Sequence, residues 1–157
     1  MKQIKLTAII LLTFISIACH QNEEKSSEAE LTAEIIQQVD SLYTVYARFD
    51  YDWIEFYADE YTAIYPDSPI QHMTKDSLKA QWKKIYAKYD VQLLDRGRPT
   101  VIASQDMAIS YNSFNEIFIN KETADTSRNV GTYIVNWKRQ EDNSWKIVFE
   151  TLQNHEN

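Results

Sequence analysis

Two closely spaced segments give the strongest indication of the fold: Gly131-Thr132-Tyr133-Ile134-Val135-Asn136-Trp137-Lys138-Arg139 and Trp145-Lys146-Ile147-Val148-Phe149-Glu150. Apolar and polar side chains alternate along both segments, and this period of two is typical of a β-strand with one buried face. Only the polar linker 140–144 separates the segments, so they are predicted to be neighbouring antiparallel strands. The more aromatic side of the first strand, with Tyr133 and Trp137, is predicted to face inward.

The same alternation assigns the side chains of the last strand to two faces. Trp145, Ile147 and Phe149 are predicted to face inward, whereas Val148 and Glu150 are predicted to face outward. This assignment depends on an unbroken period of two along the strand.

Two more strands precede this pair, because the pattern changes to period two after Tyr89. The predicted strands are 91–103, 107–119, 130–139 and 145–152. Gly97 and Pro99 are residues that interrupt a strand, so the register of the first strand is predicted to shift near them. Short connections make the four strands an antiparallel meander.

Three helices are predicted before the meander. The first, over 28–48, begins at a capping box that Ser27 forms with Glu30. Asp50 is predicted to cap a short second helix that contains Trp53, Ile54 and Tyr57, and Thr74 is predicted to cap a third. The segments 61–65 and 70–73 form a hairpin between the second and third helices. The predicted fold is therefore α+β, with three N-terminal helices on one face of a curved, mainly antiparallel sheet.

Composition excludes several classes of protein. The chain has 157 residues, a net charge of −7 and only two glycines. The acidic balance argues against nucleic-acid binding, which needs a basic face. Two glycines are too few for a Gly-rich phosphate loop or a dinucleotide-binding fingerprint. Ten tyrosines and four tryptophans leave aromatic side chains as the most plentiful candidates for a binding site.

The N-terminus is predicted to be a lipoprotein signal peptide over 1–18. Lys2 and Lys5 precede an uncharged, mostly apolar run that is shorter than the roughly 18–20 apolar residues of a membrane-spanning helix. Ser16-Ile17-Ala18-Cys19 resembles a bacterial lipobox, which implies that Cys19 is lipidated and becomes the first residue. The alternative is an ordinary cleaved signal peptide with an incidental cysteine.

The lipobox resemblance also predicts the domain organisation and the location. A polar tether is expected over 19–27, one domain over 28–153 and a short tail over 154–157. His20 stands where aspartate is the usual signal for retention in the inner membrane, so the resemblance implies the outer membrane. The protein is thus expected in the cell envelope, lipid-anchored, on the periplasmic or the surface face.

Three segments resemble the NTF2-like superfamily and, within it, the SnoaL-like and DUF4440 domains. They are Asp50 to Tyr65, the hairpin Ser104-Gln105-Asp106-Met107-Ala108-Ile109-Ser110-Tyr111, and the ending from Gly131 to Ile147. The resemblance covers about 28–153 and implies a cystatin-like cone, in which the sheet curls around the helices and encloses a pocket. It also implies a homodimer, paired through an outer sheet face that contains Ile134, Val148 and Leu152.

Six side chains are predicted to surround this pocket and to bind a small amphipathic molecule. Aromatic rings supply apolar area, while hydroxyl and indole N–H groups supply polar contacts. The alternative for each ring is that it fills the cone as core. The six are Tyr65, His72, Trp82, Tyr111, Tyr133 and Trp137.

An enzyme is the alternative function, since the superfamily includes ketosteroid isomerases and polyketide cyclases. Such enzymes move a proton next to a carbonyl group and need a base and a donor to the oxyanion. Asp95 and His72 are the candidate bases, and Tyr65, Tyr111 and Tyr133 are the candidate donors. Their spacing matches no catalytic motif of the family, so a non-catalytic binding protein is the favoured prediction.

No metal site and no cofactor is predicted. His20, His72 and His155 lie in the tether, the hairpin and the tail, so no pair has the spacing of metal ligands. The only cysteine is assigned to the lipid anchor, and no Gly-x-Ser-x-Gly motif of serine hydrolases occurs. The predicted partners are a small-molecule ligand, the membrane through Cys19, and a second copy of the chain.

Overall fold

The computed structural model describes residues 26–66 and 68–155. The predicted signal peptide, the lipidation site Cys19 and most of the predicted tether lie outside the described residues. Among the helices in these two ranges, none combines the length and the apolar character needed to cross a bilayer.

Within residues 26–66 and 68–155, two α-helices and one 3-10 helix form the helical layer. Helix α1, Glu28–Tyr46, begins at the predicted capping box, in which the Glu30 carboxylate accepts the backbone N–H of Ser27 at 2.7 Å. Helix α2, Lys75–Lys88, begins after Thr74 with a second capping box. The predicted second helix is a 3-10 helix over Asp52–Phe56. Tyr57 does not belong to it, since its backbone is extended and it begins a strand.

In the described part of the chain, seven strands form one sheet. They are β1 Tyr57–Ile64, β2 Gln71–Thr74, β3 Tyr89–Arg96, β4 Thr100–Ala103, β5 Met107–Asn120, β6 Thr126–Arg139 and β7 Trp145–Asn154. The order is β2-β1-β7-β6-β5-β3, and β4 also pairs with β5. All pairs are antiparallel except the parallel pair of β1 and β7. The predicted α+β fold with a mainly antiparallel sheet is confirmed.

The predicted strand 91–103 is divided into β3 and β4, which both pair with β5. Gly97 lies at the break and donates its backbone N–H to the carbonyl oxygen of Ser113 at 2.9 Å. The approach is close, since a Cβ on Gly97 would lie 2.4 Å from the Ser113 Oγ. Pro99 has no N–H to donate, which ends regular pairing there.

A β-bulge in β7 decides which side chains reach the interior. Trp137 pairs with Ile147 and Asn136 pairs with Phe149, so Val148 is an extra residue without a partner. Ile147, before the bulge, faces the core as predicted. After the bulge the alternation is inverted, and Glu150 is only 2% exposed. The prediction that Phe149 faces inward and Glu150 outward is therefore wrong.

The core lies between α1 and the sheet. Leu31, Ile35 and Val39 of α1 are buried, and so are Trp137 and Ile147 of the sheet. The Trp137 indole N–H donates to the Ser110 Oγ at 2.9 Å, which satisfies its polar atom inside the core.

Candidate functional site

A cavity of about 210 Å³ lies between the helices and strands β5–β7. Nine aromatic residues form most of its wall: Tyr43, Tyr46, Trp53, Tyr57, Tyr65, Trp82, Phe114, Phe118 and Tyr133. The aliphatic lining residues are Leu42, Leu78, Ile85 and Leu152. The polar ones that lack an aromatic ring are Gln81, Glu116, Asn129 and Glu150. An apolar wall with few polar groups is typical of a small-molecule site.

Glu150 accepts hydrogen bonds from three tyrosine hydroxyls. Tyr57 donates to its Oε2 at 2.5 Å, Tyr133 donates to the same oxygen, and Tyr65 donates to Oε1. The hydroxyls of Tyr57 and Tyr133 are also 2.6 Å apart. We call these four residues the tyrosine–Glu150 cluster. Burial raises the pKa of Glu150, while the three hydrogen bonds act in the opposite direction because they favour the charged form.

The three tyrosines of the cluster come from separate parts of the chain. Tyr57 begins β1, Tyr65 follows the end of β1, and Tyr133 lies on β6. Burial, and then the charge of Glu150, raises the pKa of each of the three hydroxyls. They therefore stay protonated and act as hydrogen-bond donors across the physiological range.

Glu116 is the second buried carboxylate of the cavity, and its surroundings are different. It is 8% exposed and lies on the inward face of β5, between Phe114 and Phe118. Burial raises the pKa of Glu116 to about 7, and interaction with the Tyr46 hydroxyl lowers it part of the way. Among the residues that the structure describes, no lysine, arginine or histidine forms an ion pair with Glu116.

Three rings of the wall contact one another edge to face. Tyr46 lies 5.6 Å from Trp53 and 5.8 Å from Trp82, and the two tryptophans are 5.3 Å apart, between ring centroids. All three interplanar angles are between 79° and 89°. We call this set the aromatic corner. Its members come from α1, the 3-10 helix and α2, so it holds the helical layer together at the cavity.

Comparison with known proteins yields structural matches. No protein-family model matches the sequence, and no curated protein matches it significantly. A ketosteroid isomerase-like protein from Erwinia carotovora atroseptica has a TM-score of 0.63 at 16% identity, covering 82% of this chain and 98% of its own. An NTF2-like superfamily protein from Salmonella enterica serovar Typhimurium has a TM-score of 0.66 at 12% identity, covering 83% and 95%. The fold is NTF2-like.

A third structure supports the same conclusion. An NTF2-like protein of unknown function from Pseudomonas putida has a TM-score of 0.66 at 17% identity, covering 84% of this chain and 92% of its own. Identities this low show the NTF2-like fold and carry no activity with them. The narrower resemblance to SnoaL-like and DUF4440 domains stays a prediction.

Three of the six predicted pocket residues line the cavity of the NTF2-like fold. Tyr65 and Tyr133 belong to the tyrosine–Glu150 cluster, and Trp82 belongs to the aromatic corner. Their placement agrees with the sequence analysis, and binding by them stays a prediction.

The other three predicted pocket residues lie elsewhere. Tyr111 is 40% exposed because even-numbered residues of β5 face inward and Tyr111 faces outward. His72 is exposed on β2, with its Nδ1 3.5 Å from the Thr62 Oγ1. Trp137 faces inward but is fully buried in the core and bonded to Ser110. The structure places all three outside this cavity, in contrast to the sequence analysis.

The candidate bases are also outside the cavity. Asp95 is exposed on β3 and His72 is exposed on β2, so neither has the apolar surroundings that the predicted proton transfer needs. The neighbouring Arg96 forms an ion pair with Asp40 of α1 at 2.5 Å, and not with Asp95. Among the described residues, no group of three histidine, cysteine, aspartate or glutamate side chains could hold a metal ion.

Sequence reasoning missed Glu116, Glu150 and Tyr57. The alternation of Asn112, Phe114 and Glu116 along β5 was a usable indication, because it places Glu116 on the same face as a buried phenylalanine. Glu150 gave no such indication, since the bulge at Val148 inverts its strand. Tyr57 was assigned to a helix.

The predicted pairing face also changes. Leu152 lines the cavity, because it lies after the bulge and shares the inward face with Glu150. Ile134 remains on the outer face, opposite Tyr111 of β5. Exposed apolar side chains continue that face across β4 and β5, at Ile102 and Ile109, which pair directly.

Proposed function

We propose that this protein is a lipid-anchored protein of the cell envelope whose NTF2-like domain binds a small amphipathic molecule. The observation that carries the proposal is the cavity itself, which has an aromatic wall and two buried carboxylates. Aromatic side chains supply large apolar contact area, and the few polar groups fix the orientation of a ligand.

The cavity wall is preorganised for binding, because many of its side chains contact one another and are fixed by these contacts. The tyrosine–Glu150 cluster fixes three rings through hydrogen bonds, and the aromatic corner fixes three more through edge-to-face contacts. A ligand that enters such a site loses little free energy to ordering the protein. The volume of about 210 Å³ favours a ligand with one ring or a short chain.

A thermal-shift screen with amphipathic aromatic compounds tests the binding function. We expect ligands to raise the Tm of the full chain and of Tyr111→Ala, whose side chain lies outside the cavity. In Trp82→Ala the shift should vanish, since Trp82 is half-buried in the wall. Equal ligand shifts in Trp82→Ala and the wild type would place binding elsewhere.

A proton-transfer enzyme is the second candidate function. Glu116 favours this function, because burial raises its pKa to about 7. A carboxylate with a pKa in this range works well as a general base near neutral pH. A tyrosine hydroxyl of the cluster would have to release Glu150 to donate to the developing oxyanion, since each hydroxyl has one hydrogen. The test is exchange of α-deuterium from enolisable ketones. Glu116→Gln should abolish exchange and Asp95→Asn should leave it intact; exchange that survives in Glu116→Gln would refute this role.

The anchor is proposed from the sequence alone. Cys19→Ser should release the protein from the membrane fraction, because a thiol is needed for lipid attachment. The wild-type protein should sediment with outer-membrane markers. A Cys19→Ser protein that stays in the membrane fraction would contradict lipidation at this residue.

A homodimer through the outer face is proposed as well. Exposed Ile102, Ile109 and Tyr111 lie on adjacent strands and form an apolar surface, which is a common feature of protein interfaces. Sedimentation should give a dimer for the wild type and a monomer for Ile109→Lys. A wild-type monomer at micromolar concentration would contradict the pairing.

A further inference from the structure

The cavity has two carboxyl groups and no basic side chain among its described lining residues. Glu116 and Glu150 both line it, and neither forms an ion pair with any side chain of residues 26–66 and 68–155. A carboxylate that leaves water with neither a cationic partner nor enough hydrogen bonds loses hydration that the protein does not replace. A positively charged ligand would supply the missing partner.

The two carboxylates are not equally available. Both oxygens of Glu150 already accept hydrogen bonds from tyrosines. For Glu116, the Tyr46 hydroxyl is the one described polar group that favours its charged form. Each carboxylate oxygen accepts about two hydrogen bonds, so Glu116 retains most of its capacity for a ligand.

Aromatic surface lies next to Glu116. Tyr46 interacts with Glu116 and is also a member of the aromatic corner, with Trp53 and Trp82. The face of an aromatic ring attracts a cation through its quadrupole, and tryptophan attracts it best. Carboxylate and aromatic rings therefore meet in one part of the cavity, which is the combination that binds an ammonium group.

We propose that the occupant of the cavity is a small organic cation, an ammonium group on an apolar body, with the Glu116 carboxylate as its counter-ion. The inference rests on the proposed binding function and names its ligand class. An anionic ligand would meet two carboxylates and be repelled. A metal ion would find no group of three suitable side chains in the described part of the chain.

Matched pairs of ammonium compounds and alcohols test the inference. The probes are benzylamine with benzyl alcohol and phenethylamine with 2-phenylethanol, titrated into the full chain at about pH 8, where Glu116 is ionised. Binding is followed by tryptophan fluorescence, since Trp53 and Trp82 line the cavity. The variants are Glu116→Gln and, as a matched control, Glu122→Gln in the exposed turn between β5 and β6.

We expect the wild type and Glu122→Gln to bind each ammonium compound about tenfold or more tightly than its alcohol. Glu116→Gln should lose this preference and bind the alcohols as the wild type does. Equal affinity for both members of a pair in the wild type would overturn the inference, and so would a preference that persists in Glu116→Gln. The wild-type comparison decides the matter even where the variant does not fold.

The outcomes also separate the inference from the proposed function. If the alcohols bind in a Trp82-dependent manner and the ammonium compounds bind no more tightly, the binding function is supported and the cationic ligand is contradicted. Failure of every probe to bind would contradict both the proposed binding function and the cationic ligand.

Discussion

The two buried carboxylates of one cavity have opposite surroundings. Glu150 lies in a cluster of three tyrosine hydroxyls that hold both of its oxygens. Glu116 lies between phenylalanines on β5, and among the groups that the structure describes the Tyr46 hydroxyl alone favours its charged form. Both side chains are more than nine-tenths buried. Burial alone is therefore not what distinguishes them.

The difference shows how one cavity can combine a fully hydrogen-bonded carboxylate with one that is open to a ligand. Hydrogen bonds to the charged form compensate for lost hydration, so the protein itself satisfies Glu150. Glu116 accepts fewer hydrogen bonds than its two oxygens can, so both pH and a bound ligand can change its protonation state. We infer that Glu150 orders the wall and that Glu116 faces the ligand.

The largest expected effect is at Glu150. In Glu150→Leu the hydroxyls of Tyr57, Tyr65 and Tyr133 lose their shared acceptor inside the protein. We expect a loss of about 3–5 kcal/mol in the free energy of unfolding, because stranded buried donors cost about 1–3 kcal/mol each. Urea denaturation followed by circular dichroism measures it.

Glu116→Leu is the matched control for that experiment. It removes a buried carboxylate without stranding a group of donors, so its stability at neutral pH should equal or exceed that of the wild type. Equal losses in the free energy of unfolding for Glu150→Leu and Glu116→Leu would mean that the protein does not satisfy one carboxylate better than the other.

The next effect concerns pH and Glu116. Burial raises its pKa from 4.5 to about 7, so the folded state binds a proton that the unfolded state releases between these values. Stability from this group is fully present below about pH 4.5 and is lost as the pH rises through about 7. The loss is about 3 kcal/mol for a shift of this size. Urea midpoints at about pH 5 and pH 8 measure it.

Glu116→Gln should remove this part of the pH dependence, since the amide does not titrate. The titratable groups that face Glu116 are Tyr43 and Tyr46 of α1 and Tyr86 of α2, and burial raises the pKa of all three. They stay neutral in this range. A pH dependence that is the same in Glu116→Gln would assign the effect to Glu150, whose pKa is also raised.

The sequence predicted the fold more completely than the site. Local signals specify the helices, since Ser27 and Thr74 cap them in the predicted way. Alternation also placed Tyr133 and Trp137 on the correct face of β6. These features depend on neighbouring residues, which a sequence displays directly.

The site depends on features that local patterns do not display. A bulge at Val148 inverts the face of every following residue of β7, and its alternation carries no mark of the extra residue. Facing inward is also not the same as lining the cavity. Tyr133 and Trp137 share a face but lie about 13 Å apart along the strand, so one reaches the cavity and the other reaches the core.

The smallest effect separates the tyrosines of the cluster from those of the outer face. Tyr57→Phe removes a hydroxyl that contacts both Glu150 and Tyr133 in a buried site, and we expect it to lower the free energy of unfolding by about 1–2 kcal/mol. Tyr111→Phe removes a hydroxyl from an exposed ring, and its effect should stay within about 0.5 kcal/mol. Urea denaturation of both variants measures the difference. If Tyr57→Phe left the free energy of unfolding unchanged, Glu150 would not need the Tyr57 hydroxyl as a donor. The difference between Glu150 and Glu116 would then depend on the hydroxyls of Tyr65 and Tyr133 alone.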